Sequence, residues 1–232
     1  MRVGVVVFPG SNCDLDVVHV VQDVLGWSTR ILWHAETNLV GLDLVVLPGG
    51  FSYGDYLRPG ALASYSPIMA AIKDFASNGG MVLGICNGFQ ILLEAGMLQG
   101  ALMQNRRIRF VCKPTWVRVD STRSFLTASA YKGQVLSLPI AHHSGSYYAT
   151  KEALKGMNDS GRILFRYVSP DGAQDDAFNP NGSIEAIAGV SNEEGNVVGL
   201  MPHPERAAER LLGSEDGLVL FRGVLSWISQ AS

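Results

Sequence analysis

Met81-Val-Leu-Gly-Ile-Cys86-Asn-Gly-Phe-Gln90-Ile-Leu-Leu-Glu-Ala95 is an apolar run that reaches a cysteine and continues with helical spacing. It reads as strand, sharp turn and helix. Its centre, Gly84-Ile85-Cys86-Asn87-Gly88, has the small-x-nucleophile-x-small form of a nucleophile elbow, in which two glycines let strand and helix backbones crowd together. Cys86 falls at the apex, over the amides that open the helix, where the helix dipole favours a thiolate. The plain alternative is a buried structural thiol ending a central strand. The paired glycines favour the nucleophile.

Working outward, Val3 to Phe8 is a β-branched run of the kind buried on both faces of a parallel sheet, broken at Pro9-Gly10. Leu15, Val18, Val21 and Leu25 then follow helical spacing, with Asn12 or Asp14 as cap and Gly26 as stop. Trp27 to Trp33 and Leu42 to Leu47 read as strands, the second entering the glycine-rich loop Pro48 to Asp55. Ser66-Pro67 opens a helix with Ile68, Ala71, Ile72 and Phe75 inward, stopped by Gly79-Gly80. This alternation predicts an α/β fold with a parallel sheet wrapped by helices on both faces and a site at the strands' carboxyl ends.

Beyond the elbow helix the rhythm changes. Arg109 to Asp120 and Ser137 to Ala141 read as strands with no helix between them, which predicts antiparallel strands at one sheet edge. Lys151 to Met157 reads as a short helix, Arg162 to Val168 as a strand, and Asp171 to Gly182 as a loop or partly disordered flap. Ile184 to Val190 and Val197 to Met201 read as a hairpin about Asn192 to Gly195, and a last helix carries Leu218, Phe221, Leu225 and Ile228, with Ser214 as cap. No linker or repeat divides the chain, so one domain over 1–232 is expected.

The 232 residues suffice for a sizeable core, and 47% hydrophobic with 17% charged residues describes a soluble globular protein. No run approaches the ~18 apolar residues of a membrane helix, so no membrane association is expected. A net charge of -3 gives no basic field, which makes nucleic acid a poor partner. Three unpaired cysteines, Cys13, Cys86 and Cys112, suit a reducing compartment, and no targeting segment is visible, so the cytoplasm is expected.

A cysteine nucleophile needs a base, and the base needs an orienting group. Pro202-His203-Pro204-Glu205 offers both, since a residue before proline is extended and positions i and i+2 of an extended chain project to one side. Glu205 would then hold one nitrogen of His203 and leave the other for Cys86, although two prolines could simply make a rigid turn. Attack on an amide creates an oxyanion, for which the backbone amides of Gly50 and Asn87 are candidate donors. His19, His34, His142 and His143 lack such a setting; His19 reads as a packing or surface residue. Cys13 follows a strand end and reads as inert burial ahead of a second site residue, and Cys112 as structural. No metal-ligand spacing stands out, and no Gly-x-x-x-x-Gly-Lys motif supports ATP binding on this chain.

These residues resemble a known family, the class I or triad glutamine amidotransferases. The resemblance is carried by Pro48-Gly49-Gly50, Gly84-Ile85-Cys86-Asn87-Gly88-Phe89-Gln90 and Pro202-His203-Pro204-Glu205. Within the family, Phe8 to Asp14, Gly49 to Gly60, Asn179 to Ser183 and Gly199 to Arg206 are most similar to the glutaminase subunits of phosphoribosylformylglycinamidine synthase, over almost the full chain. The resemblance implies a mostly parallel α/β sheet of flavodoxin-like kind, with Cys86 as nucleophile, His203 as general base and acid, Glu205 as orienter, Gly50 and Asn87 as oxyanion donors, and Gln90 as a contact of L-glutamine. It also implies no cofactor on this chain, with ATP and Mg on a larger synthetase subunit, and a small bridging subunit. One departure stands out: where the subfamily reads Ala-His-Gly-Glu-Gly, this chain has Ala141-His142-His143-Ser144-Gly145. Two other readings use the same elbow, a stand-alone cysteine hydrolase of γ-glutamyl or peptide substrates and a degenerate module that only binds.

Overall fold

The computed structural model describes residues 1–231, with side chains to Gln230. β1 (Arg2–Val7) is buried along most of its length and pairs in parallel with β2 (Ser28–Trp33) on one side and β3 (Leu44–Leu47) on the other. Between β1 and β2 runs α1 (Asp14–His19), prolonged by a π turn at Val20–Val24. α2 (Pro67–Ser77) leads into β4 (Met81–Ile85), and α3 (Asn87–Glu94) follows one residue later. Then come β5 (Ala101–Met103), β6 (Val111–Val119), β7 (Val135–His142), β8 (Ser146–Tyr148), α4 (Lys151–Asp159) and β9 (Ile163–Val168). β10 (Ile187–Ser191), β11 (Val197–Leu200) and α5 (Gly217–Ala231) complete the chain.

Nine strands form one sheet in the order β2-β1-β3-β4-β11-β10-β9-β6-β7. The first five are parallel, with β11 inserted beside β4 in the register Leu200 to Ile85; every pairing from β11 to β7 is antiparallel. The expected α/β sheet is present, with an antiparallel extension four strands wide. β5 and β8 make a separate two-stranded ribbon, too short to have stood out in the sequence. The segments after β1, β3, β4 and β11 therefore leave neighbouring strand ends on the same side of the sheet. No helix among the described residues is long and apolar enough to cross a membrane.

Several local expectations are corrected. In α1 the inward residues are Val17, Val20 and Val21, continuing the face that starts at Cys13, while Leu15 is 67% exposed. Cys13 itself occupies the cap position. Ser66 caps α2 by position only, because its hydroxyl meets the Tyr53 hydroxyl instead of a helix amide. In α5 the buried residues are Gly217, Leu220, Phe221, Gly223 and Val224, whereas Leu225 and Ile228 face outward. Its two glycines decide that face: a Cβ on Gly217 would lie 2.8 Å from the Ala207 carbonyl oxygen, and one on Gly223 would lie 2.7 Å from the carbonyls of Phe125 and Leu126. Ile184–Ala186 forms a 3-10 turn ahead of β10 instead of its first residues. Asp171 to Gly182 is no loose flap, since it contains a turn at Asp176–Phe178 and ends near Asn181, which is wholly buried.

The elbow itself is as compact as its glycines require. A Cβ on Gly84 would stand 2.7 Å from the carbonyl of Gly88, and one on Gly88 would stand 2.6 Å from the Leu47 carbonyl carbon on β3. Helix and sheet are in backbone contact here, so a methyl group must push α3 off the sheet. We expect Gly88→Ala to destabilise the protein by roughly 1–3 kcal/mol or more, as overpacking does. Gly156→Ala, on the exposed side of α4 with only Arg162 Nη2 nearby at 3.7 Å, serves as the contrast. It is expected to stabilise by about 0.5–1 kcal/mol through helix propensity; denaturant midpoints of the two variants check both signs.

Candidate active site

Cys86 sits between β4 and α3 with φ 51° and ψ -103°, a conformation that side chains rarely adopt and that a nucleophile elbow imposes. Its N–H donates to the Leu200 carbonyl at 2.8 Å, which ties the turn to β11. Its Sγ lies 3.8 Å from the Ala141 carbonyl oxygen, so the end of β7 borders the thiol. The N–H groups of the first turn of α3, beginning with that of Asn87, have no intrahelical acceptor.

The neighbouring strand supplies the base. β11 ends at Leu200, level with Ile85, and the chain then runs extended through His203 at φ -103°, ψ 91°. Its N–H donates to the Pro139 carbonyl at 2.8 Å. His203 Nδ1 donates to Glu205 Oε1 at 2.6 Å, and both residues are 1% exposed. The other ring nitrogen, Nε2, and Glu205 Oε2 are both buried without a hydrogen-bond partner. Burial alone would lower the pKa of His203. The charge of Glu205, then that of Cys86, with the neighbouring thiols of Cys13 and Cys86, instead hold it well above the usual imidazole value. Cys86 and His203, distant in sequence, are thus brought together, and Glu205 orients the imidazole as its spacing predicts.

The Pro48 to Phe51 loop packs against the loop after β1. Gly50 has φ +148°, and a Cβ there would lie 2.9 Å from both Asn12 N and Ser11 Cα. Phe51 N donates to the Gly10 carbonyl, and Cys13 N to the Gly49 carbonyl, at 3.0 and 3.2 Å. The N–H of Gly50 makes no hydrogen bond among the described residues. Gly49 is needed for room: a Cβ there would be 2.7 Å from His203 Cε1 and 2.9 Å from Cys13 Sγ.

Cys13 is therefore part of this site and not merely buried filler. Its Sγ accepts from Arg206 Nη2 at 3.1 Å and donates to Asn12 Oδ1 at 3.1 Å. Arg206 is braced in turn by Asp16. Cys13 Sγ, a ring nitrogen of His203 and a carboxylate oxygen of Glu205 lie within 4.8 Å of one another, the one metal-ligand grouping found among the described residues. The guanidinium already on Cys13 opposes a cation there. Sequence reasoning underrated Cys13 because nothing near it in the chain points to His203; the signal was Arg206, which closes the Pro202 to Arg206 motif. A cavity of about 670 Å³ lined by Asp16, His19, Ala141, His203, Glu205 and Leu212 reaches the imidazole and its carboxylate.

Gln90 and Asn87 carry a bracket across three loops. Ser52 N donates to Asn87 Oδ1 at 3.1 Å, Asn87 Nδ2 to Gln90 Oε1 at 2.8 Å, and Gln90 Nε2 to the Ser144 carbonyl at 2.6 Å. Each end of the Gln90 amide makes one hydrogen bond to protein, which ties this residue to the segment after β7. That loop is further fixed by His142, whose Nδ1 meets Asn105 Oδ1 at 3.1 Å, and by Asn181, whose Nδ2 donates to the Gly145 carbonyl at 2.8 Å. Burial, then the charges of His203 and His143, lower the pKa of His142 to about 3, so this imidazole stays neutral. His19 is a surface residue held between Asp23 and Glu209, and Cys112 is exposed.

The matches to known proteins agree with this geometry. A CobB/CobQ-like glutamine amidotransferase domain matches residues 1–218. The phosphoribosylformylglycinamidine synthase subunit PurQ of Moorella thermoacetica is 53% identical over 227 residues, covering 98% of this chain and 96% of that protein. The subunit of the same name from Aquifex aeolicus is 55% identical over 226 residues, covering 97% and 100%. Among solved structures, a chain of PurLQS from Thermotoga maritima superposes with a TM-score of 0.87 at 43% identity, covering 98% of both chains. Sequence, fold and the arrangement about Cys86 converge, and the chain belongs to the CobB/CobQ-like glutamine amidotransferase family.

Proposed function

We propose that Cys86, His203 and Glu205 are the nucleophile, the general base and acid, and the orienting carboxylate of a glutaminase. The observation that carries this reading is the buried His203–Glu205 pair beside the strained Cys86 turn, with the opposite nitrogen of the imidazole unpartnered. The chain is the glutaminase subunit of phosphoribosylformylglycinamidine synthase, an enzyme of purine biosynthesis that uses glutamine as amide donor. It works with a PurL synthetase subunit, as in the PurLQS assembly.

The Cys86 thiolate attacks the side-chain carbonyl carbon of L-glutamine, and the electron pair of the C=O moves to oxygen. The N–H groups of Gly50 and Asn87 receive that oxyanion; one such donor is typically worth about 3–4 kcal/mol of barrier. The intermediate collapses, the C–N bond breaks, and His203 gives its proton to the departing ammonia. Water then attacks the thioester while His203 takes its proton, and glutamate leaves with Cys86 regenerated. Glu205 holds the imidazole in the tautomer and orientation that both transfers need. Ammonia passes to the synthetase subunit, where ATP and Mg would activate formylglycinamide ribonucleotide, with a small bridging subunit completing the complex. This division leaves the present chain without a cofactor of its own. The cytoplasm, where its three free thiols would stay reduced, is the compartment we assign.

Glutamate release from L-glutamine by this chain, alone and with its synthetase subunit, nucleotide and acceptor, tests the reading. Strong stimulation by the partner is expected, and Cys86→Ser should lower the rate by at least about 10⁴-fold. Hydrolysis of γ-glutamyl peptides that depends on Cys86 but ignores the partner would instead identify a stand-alone hydrolase. A pH profile tests the triad separately. The raised pKa of His203 means that its charged form contributes stability fully below the ordinary value near 6.5, a contribution lost as pH rises through the raised value. Glu205→Gln removes the neighbouring charge that does most to raise it. The alkaline limb of kcat/KM is expected to move to lower pH, with a fall in kcat of about 10²–10⁴-fold.

A further inference from the structure

Cys13 has a setting that neither simple burial nor the triad chemistry explains. It occupies the cap position of α1, where a Ser, Asn or Asp oxygen ordinarily bonds the first helical amides, yet its side chain bonds none of them. The sulfur is turned toward the end of β11 instead. There Arg206 Nη2 donates to it at 3.1 Å, the thiol donates to Asn12 Oδ1 at 3.1 Å, and the Cys13 N–H donates to the Gly49 carbonyl at 3.2 Å. Donor, acceptor and backbone are all engaged, so the sulfur has a fixed place.

That place is beside the imidazole. Cys13 Sγ lies within 4.8 Å of a His203 ring nitrogen and of a Glu205 carboxylate oxygen. A Cβ on Gly49 would crowd both His203 Cε1, at 2.7 Å, and Cys13 Sγ, at 2.9 Å, so the sulfur and the ring edge between the two nitrogens border one narrow gap. Arg206 closes the circuit. It shares a tight turn with His203 and Glu205, its N–H donating to the His203 carbonyl at 3.2 Å, and its guanidinium reaches back to the sulfur. Asp16 braces the guanidinium at 2.9 Å. Burial opposes the charge of Arg206, and the neighbouring Cys13, Asp16 and Glu205 outweigh it. An inert filler would need none of these ties, since an alkyl side chain buries no polar group that must be satisfied.

We propose that Cys13, clasped by Arg206 and Asn12, is a positioning residue for glutamine hydrolysis: it holds the His203 imidazole at the angle at which Nε2 serves Cys86 and the leaving group. This rests on the reading of the site as a glutaminase. Through Cys13 the loop after β1 and the glycine loop after β3 are tied to the turn that carries the base.

The test uses the assembled complex and the full chain. Cys13→Ala is expected to lower kcat for L-glutamine about 10- to 100-fold with KM within about twofold, the mark of a misplaced base and not of lost substrate binding. Cys13→Ser, which keeps a donor for Asn12 and an acceptor for Arg206, should recover most of that loss. The groups about His203 are Glu205 on its own turn, Cys86 on the elbow, Cys13, and His142 at the end of β7, with Arg206 and Asp16 behind Cys13. Burial lowers the pKa of His203, and Cys13 is one of the neighbours, after Glu205 and Cys86, that raise it. Removing the sulfur should therefore make the imidazole nitrogen resonances of His203 in the full chain titrate at lower pH. Arg206→Gln leaves the sulfur and removes its brace, and it should give the same signature should Cys13→Ala fail to assemble. A kcat within about twofold of the unsubstituted complex, a loss confined to KM, or an unmoved His203 titration would overturn the proposal. If no complex releases glutamate while the His203 titration still moves, the glutaminase reading falls alone and the tie between Cys13 and His203 stands.

Discussion

Backbone-to-backbone contact between α3 and the sheet is the constraint on which the rest depends. Because Gly88 lies against the Leu47 carbonyl and Gly84 against Gly88, the helix starts at the very edge of β4. The chain can make that turn only by forcing Cys86 into a left-handed φ, which lifts its side chain out of the sheet toward the ends of β3 and β11. What surrounds Cys86 then follows from which segments leave those ends. β3 delivers the glycine loop, and β11 delivers His203 and Glu205. A larger residue at either glycine would move Cys86 away from both.

The polar groups of the site are buried, and their pairing explains why it is rigid. Glu205 and His203 satisfy each other on one side, and each keeps one atom unpartnered where chemistry or a neighbour needs it. Asn105 and Asn181 do for the loop after β7 what a regular strand would otherwise do, consuming its carbonyls and the His142 ring. Side chains fix that loop from outside, so its sequence is free to carry His143 and Ser144 without losing its shape.

Much of this was legible from residues alone. The elbow, the Pro202 to Glu205 spacing and the Gly49-Gly50 loop are local patterns whose physics is complete within a few residues, and the alternation of strands and helices fixed where their ends would meet. What stayed hidden depended on distant partners. Cys13 reads as an ordinary apolar thiol until Arg206 and His203 are folded onto it. Gln90 carries a motif signature, but its bonds to Asn87 and to the Ser144 carbonyl appear only in the fold. The inward face of α5 escaped because its closest contacts are made by Gly217 and Gly223, which a search for hydrophobic spacing passes over.

The position of β11 has a consequence in time. It is inserted between β4 and β10, yet it is made after the whole antiparallel extension, so its pairing with β4 closes one of the longest loops in the chain. Such non-local pairings form late, because their entropy must be met before their contacts help. During synthesis Cys86 leaves the ribosome more than a hundred residues ahead of His203. A nascent chain therefore carries Cys86 with no imidazole beside it, and the two meet only when the last strand docks, which is also when the sheet is whole.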